Sequence, residues 1–266
     1  MPLSNLPAAL LHHAALAGEE PWLFRSEGWD WRWHSWAELA RQATAWAGTL
    51  SELPPGSRAA FLYRARPEAV ILDLALQMAG LVSVPVSGER ETIAEWGCAW
   101  VEVDGDRVRF EGSPPSPSLL SPGGVVVGIG GNPVEIGAVE LMGMAERVQG
   151  EIAPSRRAAE REIVVLGGPL ERPEERAMLS WATMTGAAVA LEPEPGLRIA
   201  TAAWVRPTVF HGTEEEIGAL RSWVEKGRRR RLPFGRLRTV LVAGGGELSA
   251  EEAAFWSGRG VKLGRV

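Results

Sequence analysis

Apolar residues recur at helical spacing over residues 7–16 and again over 36–51. Ser35 stands at the N-cap of the second run, with Glu38 at the capping-box position. Between these helices, Trp22, Trp29, Trp31, Trp33 and Trp36 alternate in part with polar residues, as in a hairpin. Pro54-Pro55-Gly56 forms a turn, and residues 58–63 read as a strand. Pro67 then opens a helix at its tolerated first turn, and Gly80 ends it after about residue 78. The next strand is 81–86. The apolar stretch 69–86 contains Asp73 and Gln77 and changes from helix to strand partway, so it is a buried core segment and not a membrane span.

Residues 93–110 predict a short helix and a hairpin turned at Asp104-Gly105. The stretch 112–124 is rich in Pro, Ser and Gly and marks an internal boundary between an N-terminal α/β lobe (1–111) and a second α/β lobe (125–266). In the second lobe, strands are predicted at 125–129, 162–166, 187–191, 208–210 and 239–242. Helices are predicted at 137–157, 177–185 (stopped by Gly186), 214–225 and 250–257. Strands alternating with helices predict α/β architecture, with mostly parallel sheets covered by helices.

Composition narrows the function. A chain of 266 residues with 45% hydrophobic and 23% charged residues can bury a full core. A net charge of −5 argues against a nucleic-acid binder dominated by phosphate contacts. The single cysteine, Cys98, excludes a disulfide framework and is expected to be a small buried residue. His12, His13 and the lack of an early Lys or Arg argue against a signal peptide, so a soluble cytoplasmic protein is expected, with no membrane contact. His12, His13, His34 and His211 form no metal pattern. His211 follows a predicted strand, where α/β folds place ligands; the bland reading is an ordinary loop histidine. Arg228 to Arg231 reads first as a solvated loop, with a contact for RNA or an acidic partner as the other reading. No Gly-x-Ser-x-Gly elbow is present to support hydrolase chemistry.

The motif that carries most chemistry is Val126-Val127-Gly128-Ile129-Gly130-Gly131-Asn132-Pro133-Val134. Its glycines suit a loop whose backbone N–H groups approach phosphate oxygens. Such loops also need hydroxyl donors and a cation, and here valines and an isoleucine stand instead. Lys226 and Lys262, the only lysines, are remote from it in sequence.

Six further segments, in order, make the whole resemble the AMP-binding, adenylate-forming superfamily of acyl-CoA synthetases, luciferases and adenylation domains. Ser35-Trp36-Ala37-Glu38-Leu39 resembles its T-Y-x-E-L helix, and Pro54-Pro55-Gly56-Ser57-Arg58-Ala59-Ala60 its G-D-R-V-A strand. Pro67-Glu68 with Leu74 to Val86 resembles P-E … L-A-x-x-x-A-G-x-x-x-V-P-L. Gly186 to Leu191, Arg206-Pro207-Thr208 and Leu237 to Leu248 resemble G-A-x-x-V-L, R-P-T and L-R-x-x-x-x-G-G-x-x-L.

The resemblance implies the family's large N-terminal domain, whose reaction joins a carboxylate to AMP and passes the acyl group to a thiol. It places Gly128 and Gly131 in the phosphate loop, and Gly244, Gly245, Gly246 and Glu247 near the adenine. It also makes the losses countable. The loop's hydroxyl positions fall on Val126, Val127, Ile129 and Gly130, its lysine on Val134 and its last glycine on Glu135. The family's P-L-F-H is Pro169-Leu170-Glu171-Arg172. The Y-G-x-T-E segment, the ribose-binding aspartate and the lysine-bearing C-terminal domain have no counterpart before Val266. The expectation is therefore a degenerate ligase-like protein without adenylating activity of its own. It would have no catalytic residue, metal or required cofactor, and ATP or AMP would bind weakly at most. Two alternatives stand beside it. One is a non-catalytic interaction or regulatory subunit of a ligase or acyl-transfer system, holding a protein partner at the old cleft or the tryptophan-rich edge. The other is half of a split acyl-CoA ligase completed by another chain.

Overall fold

The computed structural model describes residues 3–27, 30–88, 97–111, 123–129, 132–154, 161–226, 236–244 and 248–266. Helix α1 (Leu6–Ala17) is capped by the Asn5 side chain, which accepts from the Ala8 N–H at 2.8 Å. A two-stranded ribbon follows, β1 (Pro21–Glu27) and β2 (Asp30–Ser35), as the tryptophan alternation predicts. Helix α2 (Trp36–Leu50) starts where Ser35 Oγ accepts from the Glu38 N–H at 3.2 Å. Then come β3 (Arg58–Leu62), α3 (Pro67–Met78) and β4 (Val82–Val86). The hairpin β5 (Ala99–Asp104) and β6 (Arg107–Glu111) turns at Asp104-Gly105, where Gly105 has φ 63°.

The second half begins with another hairpin, β7 (Val125–Ile129) and β8 (Asn132–Ile136), and continues through α4 (Ala138–Glu151) and β9 (Ile163–Leu166). Next are α5 (Pro173–Thr185), β10 (Ala188–Leu191), a 3-10 turn (Pro195–Leu197) and α6 (Arg198–Val205). The chain then runs through β11 (Val209–Gly212), α7 (Glu214–Lys226), β12 (Thr239–Val242), α8 (Ala250–Ser257) and β13 (Lys262–Arg265).

Two mostly parallel sheets result, with eight α-helices among the described residues. The larger has the order β13-β12-β11-β9-β10-β1-β2, antiparallel only at β1–β2. The smaller has the order β6-β5-β3-β4-β7-β8, with a parallel centre and antiparallel edges. The larger sheet draws β1 and β2 from before residue 36 and the rest from after 162, so its strands flank those of the smaller sheet in sequence. Most of the predicted boundary segment, residues 112–122, and the predicted short helix near 93 lie outside the described residues.

Helices α3 and α5 touch both sheets and are buried along most of their length. A helix apolar on all sides, as α3 is, can lie only in such a position. Asp73 in α3 meets Arg176 in α5 at 2.5 Å, both fully buried. Gln77 Nε2 (3.0 Å) and Ser83 Oγ (2.6 Å) also donate to the Asp73 carboxylate. The two polar interruptions of the apolar run thus belong to one internal network. Trp22 and Trp36 stack at 4.2 Å in the core, while Trp33 and Trp204 are exposed and Trp31 stacks on Trp204 at 4.4 Å. Trp29 lies outside the described residues.

Helix α4 ends at Glu151, short of the predicted 157, α5 starts at Pro173, ahead of the predicted 177, and three elements are missing from the sequence reading. Pro133 hid β8, yet proline is tolerated on an edge strand such as this one. The polar segment Lys262–Arg265 becomes β13 only because β12 offers an open edge. Helix α6, after Pro193, Pro195 and Gly196, falls between the predicted strands 187–191 and 208–210, where the sequence predicts no element. Cys98 is half-buried and not wholly enclosed; burial pushes its thiol up to about 11. Among the described residues, no helix is long and apolar enough to cross a membrane.

Candidate functional site

In the larger sheet the chain order reverses between β9 and β11: β10 lies on one side of β9, while β11 and β12 continue on the other. Open parallel sheets hold ligands in the crevice at the carboxyl ends of the strands beside such a reversal. A cavity of about 540 Å³ occupies this place. Gly167 and Gly168 after β9, Pro193 after β10, His211 to Thr213 at the end of β11 and Ala243 after β12 contribute to its wall. Its size is that of a small-molecule pocket.

Three buried ionisable side chains line this cavity: Glu175, Arg198 and His211, which are 3%, 5% and 0% exposed. Pro173 at the first position of α5 starts the helix that carries Glu175 in its first turn. The Gly168 backbone hydrogen-bonds the Glu175 carboxyl. A Cβ on Gly168 would lie 2.4 Å from that carboxyl, and one on Gly212 2.8 Å from the carboxylate of Glu216, so both glycines are needed for acids to reach the strand ends. Glu216 is held by a reciprocal cap at the start of α7: it accepts from the Thr213 N–H (2.9 Å), and its own N–H donates to Thr213 Oγ1 (3.3 Å).

Arg198 lies across the strand ends. Its Nη1 donates to both Glu216 oxygens (2.8 and 3.0 Å), and its Nη2 to the carbonyls of His211 (2.8 Å) and Val165 (3.3 Å). His211 Nδ1 lies 3.6 Å from Glu175 Oε1, too long for a hydrogen bond. Burial, with the Arg198 charge adding to it, pushes the His211 imidazole down to about 3. Burial raises the Glu175 carboxyl above the ordinary carboxylate range, opposed mainly by Arg198. Both groups are therefore driven toward their neutral forms in a place shaped for a ligand.

The glycine motif is a β-hairpin beside this cavity. Gly128 N–H donates to the Glu171 carbonyl at 2.6 Å, and the Glu171 carboxylate accepts from the Ser87 N–H (2.9 Å) and Ser87 Oγ (2.5 Å). The segment resembling P-L-F-H thus fastens the hairpin to the end of β4 next to the cavity wall. Val126 and Val127 are buried, Val134 is exposed, and Glu135 is ion-paired to Arg58. Gly128 is exposed, and a Cβ there would meet nothing closer than 3.7 Å. Gly244, with φ 71°, follows the cavity-lining Ala243. Gly131, Gly245, Gly246, Glu247 and Arg228 to Arg231 lie outside the described residues.

His211 is brought to the cavity, but as a buried residue of strand β11 and not as a loop residue. Sequence reasoning did not single out Glu175, Arg198 or Glu216. The Thr213-x-x-Glu216 spacing is a capping-box signal that would have found the last. Among the described residues, no group of three or more His, Cys, Asp and Glu could hold a metal.

The model of the AMP-binding enzyme family matches residues 12–91. No curated protein sequence matches the chain. Among solved structures, CmiS6 superimposes with a TM-score of 0.75 at 18% identity, over 99% of this chain and 71% of that one. The nonribosomal peptide synthetase FmoA3, in its AMPPNP-bound form, gives 0.79 at 16% identity, over 99% of this chain and 31% of that one. The N-terminal domain of FACL13 from Mycobacterium tuberculosis, bound to an inhibitor, gives 0.77 at 12% identity, over 98% and 74%. The chain thus spans 71% of the CmiS6 chain and 31% of the FmoA3 chain. At these identities the likeness is one of fold, and the fold is that of the N-terminal part of adenylate-forming enzymes.

Proposed function

We propose that this chain, built on the AMP-binding, adenylate-forming fold, keeps the cleft as a binding pocket and does not adenylate carboxylates on its own. The observation that carries this reading is the β7–β8 hairpin. Adenylation stabilises charge on a phosphate under in-line attack, which calls for donors and cations placed at that phosphate. Here Val126 and Val127 are core residues, so even their positions are turned to packing. Glu135, at the position of the loop's last glycine, is ion-paired to Arg58 and pairs with Val126 at the start of β7, so it too serves the sheet. From Val125 to Ile136 there is no cationic residue and no hydroxyl.

The test is carboxylate-dependent ATP–pyrophosphate exchange by the purified protein over a panel of aliphatic, aromatic and amino acids. The expected result is no exchange above the enzyme-free rate. Exchange that rises with a carboxylate and falls when it is withheld would overturn the reading.

A further inference from the structure

We infer that the deep end of the cavity at the β9–β11 reversal binds the uncharged polar head of a small molecule, an amide or alcohol that offers both a hydrogen-bond donor and an acceptor. The apolar body of such a ligand has Pro169, Pro193 and Ile199 to lie against. This goes beyond the reading above, because it concerns what the cavity holds when no nucleotide is present.

The geometry carries it. Among the described residues, Nδ1 and Nε2 of His211 and Oε2 of Glu175 have no hydrogen-bond partner, although both side chains are buried and line the cavity. A buried polar atom left unmatched is costly, so a ligand that supplies the missing bonds gains by doing so. The two side chains stand side by side, with Nδ1 of one 3.6 Å from Oε1 of the other, close enough for a single compact group to address both. The glycines at 168 and 212 give the acids their room at the strand ends, since a Cβ at either would meet a carboxylate.

Charge decides the chemistry of the head. His211 faces Arg198 from α6, Glu175 from α5 and Glu216 from α7. With its imidazole pushed down to about 3, it offers at neutral pH one N–H and one bare nitrogen. The raised Glu175 carboxyl favours the O–H form, again one donor and one acceptor. Arg198 is matched by Glu216 and two carbonyls, which leaves only Nε without a partner. A carboxylate would enter beside Glu175 and Glu216 with little free cation to receive it. An ammonium would enter beside the Arg198 guanidinium. Either charge would also lose its hydration on burial, whereas an amide or alcohol brings none.

The test is a ligand-observed NMR titration of the nucleotide-free protein at neutral pH with four probes of similar shape: benzamide, benzyl alcohol, benzoate and benzylamine. Benzamide and benzyl alcohol are expected to bind saturably near millimolar, the scale for fragments of this size, with benzoate and benzylamine at least about tenfold weaker. Glu175→Gln keeps one donor and one acceptor in place, so it should retain benzamide within about threefold. Glu175→Met and His211→Phe should each weaken it by about tenfold or more. Each variant is first checked for a cooperative melt; should His211→Phe not fold, the two Glu175 variants decide. A charged probe binding as tightly as benzamide, no saturable binding of either uncharged probe, or loss of binding in Glu175→Gln would overturn the inference. Pyrophosphate exchange plays no part in the readout, so failure here is separate from failure of the non-adenylating reading.

Discussion

His211 holds its neutral form because burial and the Arg198 charge act in the same direction, and this makes its contribution to stability depend on pH. The unfolded histidine takes up a proton near 6.5, while the folded one resists until about 3. Its contribution is therefore complete above about 6.5 and is lost as pH falls through that window. Glu175 has the opposite sign. Its raised carboxyl contributes below the ordinary value of 4.5 and loses that contribution as pH rises. We expect the stability gap between the protein and His211→Phe to shrink as pH falls from 7 to 5, at up to about 1.4 kcal/mol per pH unit. Urea unfolding at three pH values measures it, and parallel stability curves for the two proteins would refute it. The sequence made His211 legible because a strand end in an α/β pattern is where ligands sit. It did not reveal Glu175 or Arg198, since their meeting depends on β9 pairing with β11 across more than forty intervening residues. Gly168 and Gly212 carried the signal, but a glycine's reason shows only once its neighbour in space is known.

At the scale of elements, the strongly patterned segments were read almost to the residue: α3, β7, β12 and α8 end where their periodicity and punctuation place them. Edge strands β8 and β13 were not, because edge pairing is a tertiary event with little local signature. Asp73 shows the same division. Its place in a buried segment was readable, and its partner was not, because Arg176 lies 103 residues away on α5. Removing one member of a buried pair leaves an uncompensated charge, so Arg176→Met should cost about 3–5 kcal/mol. Gln77 and Ser83 would still donate to Asp73 but bring no charge. Replacing both partners, as Asp73→Leu with Arg176→Met, should recover most of that loss, because well-packed apolar residues can stand in for a buried ion pair. Urea midpoints of the single and double variants decide it. A double variant no more stable than Arg176→Met alone would show that the network matters for more than charge balance.

For the molecule as a whole, fold and chemistry separate along a physical line. The fold rests on apolar periodicity, glycine punctuation and proline starts, and these survive in the segments that resemble adenylate-forming enzymes. Phosphate chemistry rests on a few hydroxyls and a cation, and the β7–β8 hairpin forms with neither between Val125 and Ile136. Nucleotide binding is the global property that tests this separation. A ligand that binds only the folded state stabilises it by RT ln(1 + [L]/Kd), so 1 mM ATP with a Kd of 1 mM or weaker adds at most about 0.4 kcal/mol. For a chain of this size that raises the melting temperature by about 1–2 °C or less. A working phosphate loop saturated about a hundredfold would add about 2.7 kcal/mol, which is roughly 5–10 °C. We therefore expect 1 mM ATP or AMP, with magnesium, to move the melt by no more than about 2 °C. The two outcomes are far enough apart for a differential scanning measurement to separate them. A rise of about 5 °C or more with ATP would mean that the backbone N–H groups of the hairpin hold phosphate without hydroxyl or lysine, and the non-adenylating reading would lose its physical ground.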